Sequence, residues 1–380
     1  MTAAIVGVAE SDLGLTGKSR FALQAEAVVK ALAEAGLTLA DVDGYATAGV
    51  ARMSGAAMVE YLGIVPTWLS STMEGGSSFE FHVAAAADAI AAGRCEVAVV
   101  AHGSDQRSAS SRKLGGVVES HTPLAMYETP YGPLWPLSAY ALSAQRYFHE
   151  YGAGPEDLAE VAVAAREWAR LNPKAYRYDA GPLTVEDVLS SPTISAPLHA
   201  LDCCLVVDGG GAVVLTSLER ARDLREDPIA LLGAGSATDH FSGGAMANLT
   251  STEARRSAAA AFGEAGVTPA DIDVTEVYDS FTITVLLTLE ALGYCGPGEA
   301  KDLIADGAIR PGGTLPLNTN GGGLSYCHPG MYGILLIVEA VRQLRGEAGD
   351  RQVAGAELAV AHGTGGVFSS HGTLVLGVDR

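Results

Sequence analysis

A short pattern occurs twice in this chain. Glu96–Ser104 reads EVAVVAHGS, and Glu357–Thr364 reads ELAVAHGT. Each is followed by a second apolar run, GAVVL at Gly211–Leu215 and GTLVL at Gly372–Leu376. Each pair reads as a buried strand and a return strand with glycine at the same place, which points to a duplicated unit. The two runs stand about 100 residues further apart in the first copy, so that copy carries a long insertion, roughly Asp105 to Leu198.

The segments between the repeats fit an α/β unit. Ala3–Val8 is a short apolar strand. Phe21 to Ala35 is an Ala-rich helix closed by Gly36, and Glu80 to Ala92 is another, closed by Gly93. Cys95 to Ala101 then reads as a strand. Helix, glycine, strand in that order is the α/β pattern.

With 380 residues, 48% of them hydrophobic and 18% charged, the chain has material for a large core and for two domain-sized units. Its net charge of −20 argues against nucleic acid and against an anionic membrane surface as partners. No apolar run reaches the length of a membrane span. The start, MTAAIVGVAESD, reads as a first strand and not as a signal segment. Cys95, Cys203, Cys204, Cys295 and Cys327 form no CxxC pair and read as reduced thiols of a cytoplasmic protein.

The insertion has its own composition. It holds Tyr127, Tyr131, Tyr140, Tyr147, Tyr151, Tyr176 and Tyr178, with Trp135 and Trp168, and a proline cluster at Pro123, Pro130, Pro133 and Pro136. Two readings are open: a lobe whose aromatics line a substrate cavity, or a small satellite core stiffened by prolines. Arg107, Arg112 and Lys113 form its basic cluster, which reads as a solvated loop.

Four segments carry special backbone. Asn318–Gly333 (NTNGGGLSYCHPGMYG) has three consecutive glycines, then Tyr326 and His328, ahead of a helix from Ile334 to Leu344. Tyr278-Asp279-Ser280-Phe281 precedes a helix from Thr282 to Leu292, where Asp279 or Ser280 suits an N-cap. Met73–Phe79 places Gly75 and Gly76 just before a helix, where free amides suit an oxyanion. His362–Gly366 is a glycine turn after a strand. The chain has no P-loop, no GxGxxG after its first strand, no GxSxG elbow and no metal-ligand spacing among its histidines.

These four segments, in this order, resemble the thiolase superfamily over essentially the whole chain, in its sterol-carrier-protein-type branch. The matching motifs are GxxxVAVV from Gly93, DGGGAVVL from Asp208, YDSF from Tyr278, NTNGGG…HPG from Asn318 and GTGG from Gly363. The resemblance implies an α/β thiolase fold: duplicated βαβαβαββ halves in five layers, α-β-α-β-α, with an inserted loop domain. The halves would be 1–104 with 199–222 and 223–380, and the insert 105–198.

The departures from that pattern define the chemistry. The thiolase nucleophilic Cys lies seventeen residues before the helix-ending glycine, and counting back from Gly93 reaches Gly76. No acyl-enzyme forms there. The acid/base Cys position falls on Ala361 or His362, and the Asn or His of the NEAF or HDCF motif is Tyr278. Only the His of the HPG motif is kept, as His328. Gly76 and Gly363 stay as backbone donors for an oxyanion. Enolate chemistry on a free acyl-CoA is still open, and its simplest form is retro-aldol cleavage of a 3-hydroxyacyl-CoA.

A subset of the family is similar at both tyrosine positions: the thiolase-like aldolases that cleave a 17-hydroxy C22 steroid acyl-CoA to a 17-ketosteroid and propionyl-CoA. This resemblance implies Tyr326 as base on the substrate hydroxyl, Tyr278 as proton donor to the enolate and His328 as oxyanion donor. It implies coenzyme A as part of the substrate and no covalently bound cofactor. It also implies a homodimer and a small zinc-ribbon and OB-fold companion giving a heterotetramer. The rival readings are a non-catalytic acyl-CoA or lipid binder, and an acyltransferase using Cys327 beside His328.

Overall fold

The computed structural model of the protein describes residues 2–49, 53–110 and 121–379. Arg112 and Lys113 of the basic cluster lie outside the described residues. The strands are β1 (Ala3–Glu10), β2 (Gly44–Thr47), β3 (Trp68–Ser70), β4 (Ala98–Ser104), β5 (Thr193–Ser195), β6 (Leu198–His199), β7 (Gly209–Ser217), β8 (Ile229–Thr238), β9 (Val274–Val277), β10 (Leu358–Gly365) and β11 (Ser370–Val378). The helices of the first half are α1 (Arg20–Glu34), α2 (Ser54–Leu62) and α3 (Ser78–Ala91). Those between β4 and β7 are α4 (Pro123–Tyr127), α5 (Leu137–Tyr151), α6 (Pro155–Ala169) and α7 (Val185–Leu189). Then come α8 (Leu218–Leu224), α9 (Ala254–Ala265), α10 (Thr282–Leu292), α11 (Ala300–Leu303) and α12 (Gly333–Leu344).

The duplication is visible in strand order. Nine strands run β3-β2-β4-β7-β1-β8-β11-β10-β9. Outward from the centre, β1, β7, β4 and β2 match β8, β11, β10 and β9. In each half the first three are antiparallel neighbours and the last pair is parallel. The halves join where β1 meets β8 through only two residue pairs, Ala4 with Ala230 and Ile5 with Ile229. A matching close approach marks both copies. A Cβ on Gly7 of β1 would lie 2.1 Å from the Ala31 carbonyl of α1, and one on Gly233 of β8 the same distance from the Ala261 carbonyl of α9. Helix and strand touch there, and a side chain would push them apart.

Layering follows from which face each helix buries. α1 packs on β1, β7 and β4, and α9 on β8 and β11, forming the outer layers. α3 and α12 touch strands of both halves and each other, forming the central layer. This is the five-layered α/β arrangement expected from the duplicated pattern. Both central helices carry wide apolar faces, including Phe79, Val83 and Ala86 on α3 and Ile334, Leu335 and Val338 on α12. Burying each such side chain contributes about 1.5–3 kcal/mol.

Element ends differ from the sequence reading by up to three residues. β4 starts at Ala98 and not at Cys95, because the Asp43 carboxylate accepts the Glu96 and Val97 amides (2.9 and 2.8 Å) and holds that stretch as a turn. The excursion between β4 and β7 carries α4 to α7 and the β5–β6 hairpin. Most of its core is shared: Tyr140, Ala144, Tyr147 and Leu158 lie in one apolar cluster with Phe281, Leu286 and Leu289 of the second half, while Ala159, Ala162 and Val188 form a small satellite cluster of their own. We propose to divide the chain on this connectivity into 1–104 with 199–222, an insert 105–198, and 223–380. Among the described residues no helix is long and apolar enough to cross a membrane.

Candidate active site

Two chain reversals at the ends of the sheet bring the site together. β9 ends at Val277, and the Tyr278 amide still donates to the His362 carbonyl of β10 at 3.0 Å. The backbone then turns, and α10 begins at Thr282 as the sequence suggested. Asp279 does not cap this helix. Its N-cap is Phe281, with no side-chain cap. The Asp279 carboxylate is buried and accepts instead from the amides of Gly323 (2.6 Å) and Leu324 (3.2 Å). Burial raises its pKa to about 7, against the pull of those amide bonds.

The triple glycine is explained by the same contact. A Cβ on Gly322, where φ is +65°, would lie 2.1 Å from an Asp279 carboxylate oxygen, and one on Gly321 would lie 2.7 Å from the Ala169 Cβ of α6. Residues 322–326 form one wide helical turn, and the chain re-extends at Cys327 (φ −161°, ψ 134°) to deliver His328. The stretch before it is anchored by Thr319, whose hydroxyl bonds Glu276 and Glu339 (both 2.8 Å), and Glu339 pairs with Arg351 at 2.8 Å. After the turn, the Gln106 amide donates to the His328 carbonyl at 2.7 Å, and His102 Nε2 meets the Pro329 carbonyl at 3.1 Å.

These reversals place Tyr278 Oη 3.0 Å from His328 Nε2, with the rings edge to face at 5.6 Å between centroids. The Tyr332 amide donates to the same phenol oxygen at 3.2 Å. That oxygen therefore accepts from the backbone and can donate its proton toward the imidazole. Both side chains line a cavity of about 570 Å3. Gly75 and Gly76, in the tight turn Gly75–Ser77 that leads into α3, form part of its wall. The Gly75 amide donates to Met73 Sδ at 3.2 Å, so the donor this wall has for a negative oxygen is the Gly76 amide, at the start of a helix where amides have no intrahelical partner. Apolar lining comes from Met58, Met73, Phe281 and Met331, with Trp135 and Tyr140 from the insertion.

Gly76 has no room for a side chain. A Cβ there would lie 2.2 Å from Tyr278 Cε2 and 2.4 Å from the Thr364 carbonyl oxygen. A nucleophile at this position and the tyrosine ring exclude one another.

The structure places Tyr326, Gly363 and Cys327 outside the lining of this cavity. Tyr326 is only 3% exposed and does not line the cavity. It ends the wide turn and packs in the core with Glu10, Glu339 and Arg351 as its charged neighbours. Burial, with help from those carboxylates, pushes its phenol well above the ordinary value of 10. In this structure that phenol is harder to ionise than a free one and stands apart from a substrate held in the cavity. Gly363 also lies off the cavity: on β10 it faces the α3 side chain Glu80, whose carboxylate fills the place of a Cβ. Ala361 and His362 are buried within the sheet, and His362 bonds Thr373 at 2.8 Å; Thr364, two residues on, lines the cavity instead. Cys327 is fully buried beside the Asp208 carbonyl and outside the cavity, so it is no nucleophile for a ligand there.

Sequence reasoning missed four residues near this site: His102, Gln106, Thr364 and Glu80. His102 and Gln106 follow the repeated strand and could have been found from the repeat alone. Glu80 carried a weaker signal, a carboxylate inside an apolar helix face. It is 1% exposed, no group among the described residues bonds its oxygens, and burial raises its pKa well above 4.5. Of the insertion's aromatics, only Trp135 and Tyr140 reach the cavity; Tyr147 bonds Glu290, Trp168 bonds the Ile309 carbonyl, and Tyr127 and Tyr131 are exposed. Among the described residues no cluster of three His, Cys, Asp or Glu side chains is placed to hold a metal ion.

Known proteins share this architecture. The family model "Thiolase C-terminal domain-like" matches residues 235–378. The chain is 40% identical to the 17-hydroxy-3-oxo-4-pregnene-20-carboxyl-CoA lyase of Mycobacterium tuberculosis, over 96% of each chain. It is 39% identical to the steroid side-chain-cleaving aldolase of Thermomonospora curvata, over all of this chain and 98% of that one. The solved "Ltp2-ChsH2(DUF35) aldolase" superposes with a TM-score of 0.91 at 37% identity, covering 100% of this chain and 98% of the other. Fold, motif order and these relatives agree: the chain belongs to the thiolase superfamily, alongside its steroid side-chain-cleaving aldolases.

Proposed function

We propose that the protein is a carbon–carbon lyase that splits a 3-hydroxyacyl-CoA by retro-aldol cleavage. The substrate class is that of the M. tuberculosis relative, a 17-hydroxy C22 steroid thioester, and the products are a 17-ketosteroid and propionyl-CoA. The observation that carries this reading is the Tyr278–His328 hydrogen bond, set where a nucleophile on residue 76 cannot fit.

The geometry suits one proton carried out and back. The substrate hydroxyl gives its proton to Tyr278 Oη as Tyr278 passes its own to His328 Nε2. The Cα–Cβ bond breaks, the hydroxyl carbon becomes a ketone, and the electron pair moves onto the thioester as an enolate. The Gly76 amide holds the enolate oxygen; one such donor is typically worth about 10²–10³ in rate. Tyr278 then protonates Cα and recovers its proton from His328. A free phenolate at pH 7 would carry a handicap of roughly 4 kcal/mol. Concerted transfer to the imidazole avoids that species. This scheme keeps Tyr278 as donor to the enolate and gives Tyr326 no part. Coenzyme A enters as part of the substrate.

The likeness to the Ltp2-ChsH2(DUF35) aldolase supports a DUF35-type companion; the homodimer, and the zinc-ribbon and OB-fold make-up of that companion, are what the family resemblance implies. Five free cysteines fit a reducing, cytoplasmic setting. The test is product analysis. The full chain, with such a companion, is incubated with the 17-hydroxy C22 steroid acyl-CoA, and CoA species are followed by mass. Propionyl-CoA and the ketone in equal amounts are expected. Intact substrate, shown to be bound, would replace this reading with that of an acyl-CoA-binding protein.

A further inference from the structure

A second hollow, of about 260 Å3, is lined in part by the segment 203–206. Backbone hydrogen bonds tie this segment to the cavity. The Cys204 amide donates to the carbonyl of Ser280, a cavity residue, at 3.0 Å, and the Leu205 amide to the Gly323 carbonyl at 2.9 Å. Adjacent residues also divide between the two: Gln106 lines the cavity and Arg107 the hollow.

Three arginines line this hollow: Arg107, Arg166 and Arg177. The chain has 44 acidic and 24 basic side chains, so most cations find a carboxylate with ease. These three do not: among the described residues none has a carboxylate oxygen within 4.0 Å. Arg166 is the sharpest case. It projects from α6, is 6% exposed, and its Nε has no partner. Among the described residues its one hydrogen bond is a long contact from Nη1 to the Gly181 carbonyl, 3.4 Å. Burial and the like charges of Arg177 and Arg170 disfavour its proton, and Asp187 only partly offsets them. Arg177 stacks on the Tyr176 ring, with its guanidinium carbon 5.5 Å from the centroid, which fixes its plane.

A buried guanidinium with an empty donor and cationic neighbours is unfavourable unless an anion joins it. Planar arginine forks match phosphate oxygens two at a time.

We propose that Arg107, Arg166 and Arg177 form a binding site for a phosphate group. Two sources share that chemistry: the phosphates at the far end of an acyl-CoA whose thioester lies in the neighbouring cavity, or a free phosphate. The first source rests on the proposed acyl-CoA substrate; the site itself does not.

The experiment is calorimetric titration of the full chain with CoA, with pantetheine and with inorganic phosphate, for wild type, Arg107→Ala, Arg177→Ala and Arg166→Met. Lyase turnover is assayed separately, so a failed activity assay leaves the binding result standing. CoA weakened tenfold or more in Arg107→Ala and Arg177→Ala, with pantetheine unchanged, assigns the site to the substrate's own phosphates. Phosphate binding lost in the variants with CoA affinity unchanged assigns it to a free anion. Arg166→Met removes a buried group and is read only if it folds; the other two side chains are more accessible, and their removal should leave the fold intact. Unchanged affinity for both CoA and phosphate in Arg107→Ala and Arg177→Ala, or a wild-type chain that binds neither, overturns the proposal.

Discussion

The ring of Tyr278 fills the space that a side chain on Gly76 would occupy, with Cε2 2.2 Å from the position of the missing Cβ. Loss of the thiolase nucleophile and gain of a phenol are thus one structural change. The first prediction follows. Gly76→Ala should destabilise the fold by about 1–3 kcal/mol, as overpacking does, and abolish turnover. Adding Tyr278→Ala should recover only part of the stability, because the Thr364 carbonyl still stands 2.4 Å from the new methyl. Denaturant midpoints of the two variants check this. Full recovery in the double variant would mean the tyrosine alone closes the site.

The two tyrosines should separate cleanly. Tyr278→Phe removes the hydroxyl that bonds His328 and accepts from the Tyr332 amide. It should lower kcat at least 100-fold, and cost about 1–3 kcal/mol for the stranded amide. Tyr326→Phe should keep turnover within a few-fold of wild type, because that phenol lies outside the cavity. Steady-state kinetics on both variants decide it. An inactive, well-folded Tyr326→Phe would return the base role to that residue.

Glu80 makes a prediction about pH. Burial raises its pKa above the ordinary 4.5, so the folded chain keeps a proton that the unfolded chain releases. Its contribution is fully present below about pH 4.5 and is lost as pH rises, by up to about 1.4 kcal/mol per pH unit while the group stays protonated. Glu80→Gln removes this dependence. The variant should gain on wild type between pH 5 and pH 8, measured by urea denaturation at both. A constant difference would show that Glu80 is ionised in the fold.

Asp279 ties the two site segments together. Asp279→Asn replaces one acceptor with an amide group that the Gly323 or Leu324 N–H cannot use. It should cost about 1–3 kcal/mol and lower kcat more than it raises KM, since His328 rides on that turn. Kinetics with a stability curve test it. A loss confined to KM would place the effect on substrate binding.

The sequence carried the fold at the level of elements. The repeated EVAVVAHGS and ELAVAHGT runs are β4 and β10, equivalent strands of two halves, and α10 begins and ends where its apolar run does. Periodicity and glycine stops are local, so they survive without tertiary information. The spacing i, i+2 did not show where Tyr326 stands relative to His328, because it implies one face only on a strand, and a wide helical turn ends at Tyr326. The N-cap expectation for Asp279 was overturned by a long-range contact. A carboxylate before a helix suits its cap, but here it serves a turn 44 residues away. Of the three arginines, Arg107 stood in the insertion's basic cluster, but no sequence pattern joined it to Arg166 and Arg177.

The two central helices begin against each other: a Cβ on Gly333, at the start of α12, would lie 2.2 Å from the carbonyl oxygen of Gly76, just before α3. These are corresponding places in the two copies. In a symmetric pair of separate chains, any substitution at such a joint appears on both sides at once. Fusing the copies into one chain lifts that constraint. One side of the joint can give up its side chain while the other keeps a histidine five residues upstream, and the centre of the molecule becomes the place where two identical ancestors would have been free to differ.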